Sequence, residues 1–562
     1  MRPTIAVLAI FFALLPSSVI QAEDVTSDEL PLHRLIDEHI EARFPSWNAV
    51  PASLCSDAEF VRRVYLDLTG TIPSARVAYS FIASEHLEKR TTLVDELQST
   101  EQYARRMATY FDVALMERRP DKYVTSKDWR SYLADSFMSN KPFNQIAAEI
   151  LGADGVDESL RPAAKFYLDR DVDKDTLVRD IGRLFLGVDL QCAQCHDHPD
   201  IDDYLHQHYH GLSVFVAGSK TFKQPDGTMV LQEMITREVE FTSVFSPDTT
   251  QKTGPRLIDA LLEVPEFTAG EEYLETPSRT VRAIPKFSLR ELLADKVSHE
   301  SPEFSRNVVN RLWAMMMGRG LVHPLDMHHS SNPPSHPDLL DRLSKRFAES
   351  QFDTKKFIRL LTLSDAYQRS SLIPEGVAPA NVPPESFAVA NMKGLSPEQL
   401  FDSLLTATDA DRILAQQIDE ALTEQTLDAA EPEESDKLIT VREELRAAHV
   451  AEFVSLFGTP PGQSESEFSA SLPQALFFAN SETISAWLPP RLGNLSERLV
   501  SLVEPDAVAH ELYLSVLSRL PVEEELAIVR EQLQAAPAEQ RRTAITELVW
   551  SLLASAEFRL NH

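Results

Sequence analysis

The stretch Glu59-Phe60-Val61-Arg62-Arg63-Val64-Tyr65-Leu66-Asp67-Leu68-Thr69-Gly70 sets the class of the fold. Phe60, Val61, Val64, Tyr65 and Leu68 recur at spacings of three and four, the signature of a helix with one buried face. Gly70 and Pro73 end that helix. The same pattern returns downstream. Leu93, Val94 and Leu97 continue it, followed by Tyr103 and Met107. Leu177, Ile181, Leu184 and Phe185 form a further stripe, with Gly187 placed to stop it. Residues 28–218 therefore read as a helical domain.

Between residues 219 and 286 the character changes. Val239, Phe241 and Val244 alternate with polar residues, and Pro and Gly become frequent, as in short strands of an irregular connector. Helical periodicity resumes at Phe287 and persists through 287–562. Residues 373–384, rich in Pro and Ala, read as a surface loop, and the acidic run 428–436 as a solvated excursion. The expected fold is mainly α, with two helical domains joined by a short β-containing connector. Tyr65-Leu66 before Ile72-Pro73 is echoed by Tyr513-Leu514 before Leu520-Pro521 at the same offset. Either a duplication or a helical hairpin reached twice accounts for that echo.

Residues 1–22 have the order of a cleaved signal peptide: Arg2, an apolar run from Ile5 to Leu15, and a small-residue stop at Ala22. That run is too short to span a bilayer, and no later stretch is long enough. The expectation is an exported chain, periplasmic or extracellular. Its formal charge is −32, and losing Arg2 with no acid takes it to −33. Such an acidic chain is unsuited to nucleic acid, whose phosphates need clustered Lys and Arg. Only three cysteines are present, so disulfides do not staple the fold, and Cys55 reads as a buried apolar thiol.

One motif carries sharp chemistry: Cys192-Ala193-Gln194-Cys195-His196. Two thiols one helical turn apart can add to the two vinyl groups of haem, and the adjacent His can reach the iron. Random placement of three Cys and 16 His yields this pentapeptide in only about one chain in a few thousand. Cys192 and Cys195 are the candidate haem c attachment residues and His196 the candidate iron ligand. The sixth ligand stays open, with Met229, Met234 and His210 within range and Met315, Met316 and Met317 reading as core. The rival reading is a zinc or iron site made by Cys192, Cys195 and two of His198, His206, His208 and His210, with His198 and His210 the set preferred. A local disulfide or redox pair explains the two cysteines but not the histidine. No P-loop, Rossmann, G-x-S-x-G or H-E-x-x-H signature is present. The His323–His329 segment, with Asp326, His329 and His336, reads as a loop closing onto a helix after Pro337. A hydrolase acting on polymers there is the weakest of the three functional readings.

At these residues the chain resembles a family of planctomycete-type cytochrome-like proteins built from two tandem domains of unknown function, families fifteen-forty-nine and fifteen-fifty-three. The first domain's pattern is carried by residues 59–70 and by Phe185-Leu186-Gly187-Val188 through Cys192-Ala193-Gln194-Cys195-His196-Asp197-His198-Pro199. The second is carried by Asn307, Asn310-Arg311-Leu312-Trp313, Gly318-Arg319-Gly320-Leu321-Val322, Asn332-Pro333-Pro334-Ser335-His336-Pro337, Tyr367-Gln368, Ser396-Pro397-Glu398-Gln399-Leu400 and Ser555-x-Glu557-Phe558. The resemblance implies export and haem binding through Cys-x-x-Cys-His; it implies no established reaction. A redox partner protein is the expectation that goes with the haem reading. His208 and His210 stand where the resemblance leads one to expect acidic or aromatic residues. Met327 and His329 stand where it leads one to expect Asp and Arg.

Overall fold

The structure is a computed structural model and describes residues 31–268, 270–410, 447–463 and 472–562. The candidate signal peptide and the acidic run at 428–436 lie outside the described residues. Among the described residues the fold is mainly helical, with strands only in small two-stranded sheets. The first ten helices are α1 (Leu32–Trp47), α2 (Asp57–Thr69), α3 (Ala75–Ala83), α4 (Lys89–Gln98), α5 (Glu101–Met116), α6 (Ser126–Met138), α7 (Phe143–Gly152), α8 (Lys165–Leu168), α9 (Lys174–Ile181) and α10 (His206–Ala217). Helix α2 forms as its periodicity predicts. Ser56 caps its first turn by accepting the Glu59 N–H, and Phe60, Val61, Val64 and Leu68 are fully buried. Gly70 ends it at φ +80°, a conformation that favours glycine.

The connector holds three hairpins. Strand β1 (Ser219–Lys223) pairs with β2 (Met229–Glu233), β3 (Val239–Thr242) with β4 (Thr250–Thr253), and β5 (Arg256–Leu257) with β6 (Ala260–Leu261), all antiparallel. Beyond it come α11 (Leu289–Asp295), α12 (Pro302–Met317), α13 (Pro337–Glu349), α14 (Thr354–Thr362) and α15 (Asp365–Gln368). The expected boundary at residues 286–287 does not divide the cores. One hydrophobic core runs from Leu35 to Ala388 and draws on both sides of the connector. The physical reason is that α11 and α12 turn apolar faces back onto the first domain; the rings of Phe143 on α7 and Phe304 on α12, for instance, stack at 6.3 Å.

A second core begins at Leu395 and ends at Phe558. It is built by α16 (Pro397–Thr408), a helical stretch at 447–457, α17 (Leu472–Asn480), α18 (Glu482–Trp487), α19 (Leu495–Ser501), α20 (Pro505–Leu517), α21 (Glu523–Ala535) and α22 (Arg541–Leu553). Helix α2 serves both cores, because Leu66 and the following Ile72 belong to the second. Arg62, wholly buried, donates to the carbonyls of Val516 at 3.2 Å and Phe558 at 2.9 Å. The internal echo has a structural counterpart. Like α2, α20 ends in a left-handed residue, Ser518 at φ +60°, at the position equivalent to Gly70.

Asp67, 1% exposed, locks this junction. Its carboxylate accepts from Tyr367 Oη at 2.8 Å, Lys393 Nζ at 2.5 Å and Asn561 Nδ2 at 2.8 Å. Lys393 lies on β7 (Lys393–Gly394), which pairs with β8 (Leu560–Asn561). Asp67→Ala leaves a buried ammonium unpaired and is expected to destabilise the fold by about 3–5 kcal/mol. Urea unfolding checks this; a loss under about 1 kcal/mol would show that the Asp67 lock is not a principal tie.

Candidate functional site

The Cys-x-x-Cys-His segment is delivered by a helix whose end is fixed on all sides. Asp173 caps α9 by accepting the Thr176 N–H at 2.9 Å. The helix widens into a π turn over Gly182–Leu186 and stops at Gly187, φ +74°. A Cβ at Gly187 would come within 2.8 Å of His328 Cδ2 and 3.1 Å of Asn307 Oδ1, so the chain passes where only glycine fits. Asn307 Nδ2 donates to Leu184 O at 2.8 Å, and Arg311 Nη2 donates to Arg183 O at 2.9 Å. These two α12 side chains explain the Asn307…Arg311 pattern seen in the sequence: they hold the turn that precedes the motif.

Beneath that turn lies a lattice of buried charge. Asp180, fully buried, accepts from Arg170 at 2.7 Å and Arg179 at 2.8 Å. Burial alone would raise its carboxyl, and the Arg170 and Arg179 guanidiniums more than offset this and hold it below the usual carboxylate range. Arg183 reaches Glu117 and, at 3.2 Å, Asp326. Asp326 also pairs with Arg311. The Asp326 carboxylate is thus committed to two guanidiniums.

The motif itself is a single 3-10 turn, Cys192–Gln194. Ala193 is wholly buried and anchors the turn, while Cys192 and Cys195 on either side are exposed free thiols. His196 is half-buried. Its Nδ1 lies 2.5 Å from the Asp197 carbonyl, so Nδ1 carries the proton, and Nε2 has no partner among the described residues. The β3–β4 turn sits alongside. The Val244 N–H donates to Cys195 O at 3.1 Å, and the Phe245 ring lies 4.9 Å from the His196 ring. Val244 and Phe245 are 60% and 78% exposed, an apolar surface beside the thiols.

The other histidines separate into roles. His198 Nδ1 accepts the Asp200 N–H at 3.1 Å, and its own N–H donates to Tyr204 O at 2.8 Å, closing the loop after the motif. His208 Nδ1 accepts the Leu205 N–H at 3.4 Å, near the start of α10. His206 and His210, one turn apart on α10, meet with Nε2 atoms 2.9 Å apart, and both face the Gln194 carbonyl. Burial, and then the neighbouring His206, lower His210 to about 4; burial lowers His206 as well, so both rings are neutral at pH 7. Cys192, Cys195, His198 and His210 do not assemble as a four-ligand set: among the described residues no three His, Cys, Asp or Glu side chains converge to hold a metal. Met315, Met316 and Met317 are buried core on α12, and Met234 is exposed on the connector.

Residues 35–221 match the family described as PSCyt2, protein of unknown function (DUF1549), and residues 289–533 match PSD1, protein of unknown function (DUF1553). The chain carries both domains in tandem. No curated protein and no solved structure matches it. The PSCyt2 region includes the motif and ends just past α10, and the PSD1 region opens with α11. Part of their contact lies at the site. The PSD1 loop after α12 docks on both flanks of the motif: Val188 bridges to Met327, His328 N–H donates to Gly187 O at 3.0 Å, and Tyr204 Oη donates to His328 O at 3.1 Å. The ligand-rich look of residues 323–336 therefore reflects docking and packing. His336 is buried between the Trp47 and Phe387 rings at the start of α13. No helix of the described residues is long and apolar enough to cross a membrane.

The His206–His210 contact has a sequence signal, an i, i+4 pair on one helix face; the sequence offers both as candidate ligands without pairing them with each other. The Glu117–Asp180 lattice has none, because Glu117, Arg311 and Asp326 come from segments far in sequence from Arg170–Arg183.

Two outcomes follow from the exposures. In the reduced, folded protein a thiol reagent should modify Cys192 and Cys195 within seconds to minutes and reach Cys55, which is 4% exposed, only on unfolding. Three equally fast thiols would contradict the geometry. Burial, followed by Arg43 and His39, lowers His336 to about 3 from the ordinary 6.5 of histidine. The unfolded chain therefore binds this proton first, and stability present at neutral pH is lost as pH falls from about 6.5 towards 3. His336→Gln should flatten that loss by up to about 1.4 kcal/mol per pH unit, read by urea unfolding at stepped pH; an unchanged slope would refute it.

Proposed function

We propose that this chain is an extracytoplasmic haem c protein, with Cys192 and Cys195 joined to the porphyrin and His196 bound to its iron. The observation that carries the reading is the state of His196. Its Nδ1–H donates to the Asp197 carbonyl, which fixes the tautomer and leaves Nε2 free as a ligand, as in histidines that bind metals. The two thiols flanking the buried Ala193 are reduced, exposed and part of the same turn. Each can add S–H across a vinyl group, sulfur bonding one carbon and the hydrogen the other, with no external oxidant. Val244 and Phe245 offer an apolar wall on which a macrocycle can rest.

Bound haem supplies one-electron chemistry, and the protein's part is to set the ligand and the exposure of its edge. An exposed site suits electron exchange with a partner protein. The chain's charge of −32 favours a partner presenting a basic face and disfavours nucleic acid. The turn's position against the PSD1 loop gives the second domain a part in holding the site.

Export of the full chain in a host with haem-attachment machinery tests the reading. Haem absorbance should remain with the polypeptide after denaturation and vanish in Cys192→Ala/Cys195→Ala. A colourless chain from a host that loads a control cytochrome c sinks it.

A further inference from the structure

Behind the Cys-x-x-Cys turn lies an arrangement that the haem reading does not use. His206 Nε2 and His210 Nε2 are 2.9 Å apart, and the Gln194 carbonyl oxygen lies 3.1 Å from the first and 3.2 Å from the second. Three polar atoms thus form a nearly equilateral triangle. Hydrogen bonding cannot satisfy all three edges. The carbonyl only accepts, and each neutral imidazole either donates or accepts at Nε2. With one Nε2–H, two lone pairs are left facing each other. With two, the N–H groups oppose each other at 2.9 Å.

A cation removes the conflict, because all three atoms can then present lone pairs. An ion about 2.1 Å from each, the usual metal–imidazole distance, would see them at roughly right angles. That is one face of a five- or six-coordinate site rather than a tetrahedron. The surroundings support it. The main-chain N–H of His206 donates to Asp197 Oδ1 at 2.8 Å, fixing the start of α10, and the ring of His210 lies on Phe241, 4.5 Å away and parallel within 7°. Phe241 meets the His206 ring edge-on at 4.8 Å, so one aromatic side chain sets both imidazole planes. Asp175, bonded to Tyr209 Oη at 2.7 Å and paired with Lys174 at 3.3 Å, lies nearby.

We infer that His206 Nε2, His210 Nε2 and the Gln194 main-chain oxygen form a site for a divalent first-row transition-metal ion that clamps the Cys192–Cys195 turn from behind. Gln194 lies between the two thiols, so an ion on its carbonyl ties their spacing to α10. Imidazole nitrogen selects ions of the nickel, cobalt, copper and zinc type over magnesium or calcium. The site is independent of haem, since none of its donors belongs to Cys192, Cys195 or His196.

The test uses the full mature chain carrying Cys192→Ser and Cys195→Ser, so that neither thiols nor haem contribute. After chelator treatment it is titrated with cobalt(II) alone, followed by calorimetry and by visible absorption. The expected result is one ion per chain, weak bands of a five- or six-coordinate ion, and a melting temperature that rises with cobalt concentration. His210→Tyr and His206→Gln should each weaken binding at least tenfold, while His208→Gln on the same helix should leave it unchanged. Circular dichroism of each variant identifies any that fails to fold, and His210→Tyr, at a half-buried position stacked on Phe241, is the one least prone to do so. No stoichiometric binding, or binding untouched by His210→Tyr in a folded chain, overturns the inference. Binding that appears only when Cys192 and Cys195 are restored also overturns it.

Discussion

The buried pairing of carboxylates with arginines around Glu117, Asp180 and Asp326 is the constraint on which the site rests. Asp180 and Glu117 are both 1% exposed or less, and their partners Arg170, Arg179 and Arg183 come from the chain just before the motif. Removing such charges from water costs several kcal/mol per ion, recovered only when geometry and hydrogen bonding are complete. That demand makes the arrangement all-or-none. Arg183 can satisfy Glu117 and Asp326 together only if the π turn at Gly182–Leu186 and the PSD1 loop are both in place. The lattice specifies one geometry for the two domains more than it adds net stability, and the exposed thiols inherit their position from it.

Much of the fold could be read from the chain because its helices announce themselves. The stripe Phe60, Val61, Val64 and Leu68 is buried as periodicity requires, and Gly187 stops the last stripe before the motif in a left-handed turn. The strand-like alternation at Val239 and Phe241 becomes a hairpin. Which helix packs on which was not legible. Periodicity says that a face is apolar but not what covers it. So the junction at residues 286–287 looked like a boundary between cores, whereas α11 and α12 complete the first core and the second starts only at Leu395.

The site was legible in part for the same reason. Cys192, Cys195 and His196 stand together because adjacency in sequence is adjacency in one turn. The histidines around them needed the third dimension. His198 closes a loop, His208 binds the backbone at the start of α10, and His206 joins His210 across a helical turn. A residue type favoured by metals is equally favoured by helix ends and loop closures, and only its partners separate the two.

The pairing of β7 with β8 has a consequence for how the chain is made. Lys393 and Asn561 reach Asp67 from more than three hundred positions downstream, and Arg62 waits for the carbonyls of Val516 and Phe558. A ribosome emits these groups long after α2. Throughout synthesis α2 carries an unmatched carboxylate and guanidinium, so it cannot reach its final packing until the far end arrives. The Cys192 turn emerges in the middle of that interval, when its scaffold is still loose and its thiols are most open to chemistry from outside.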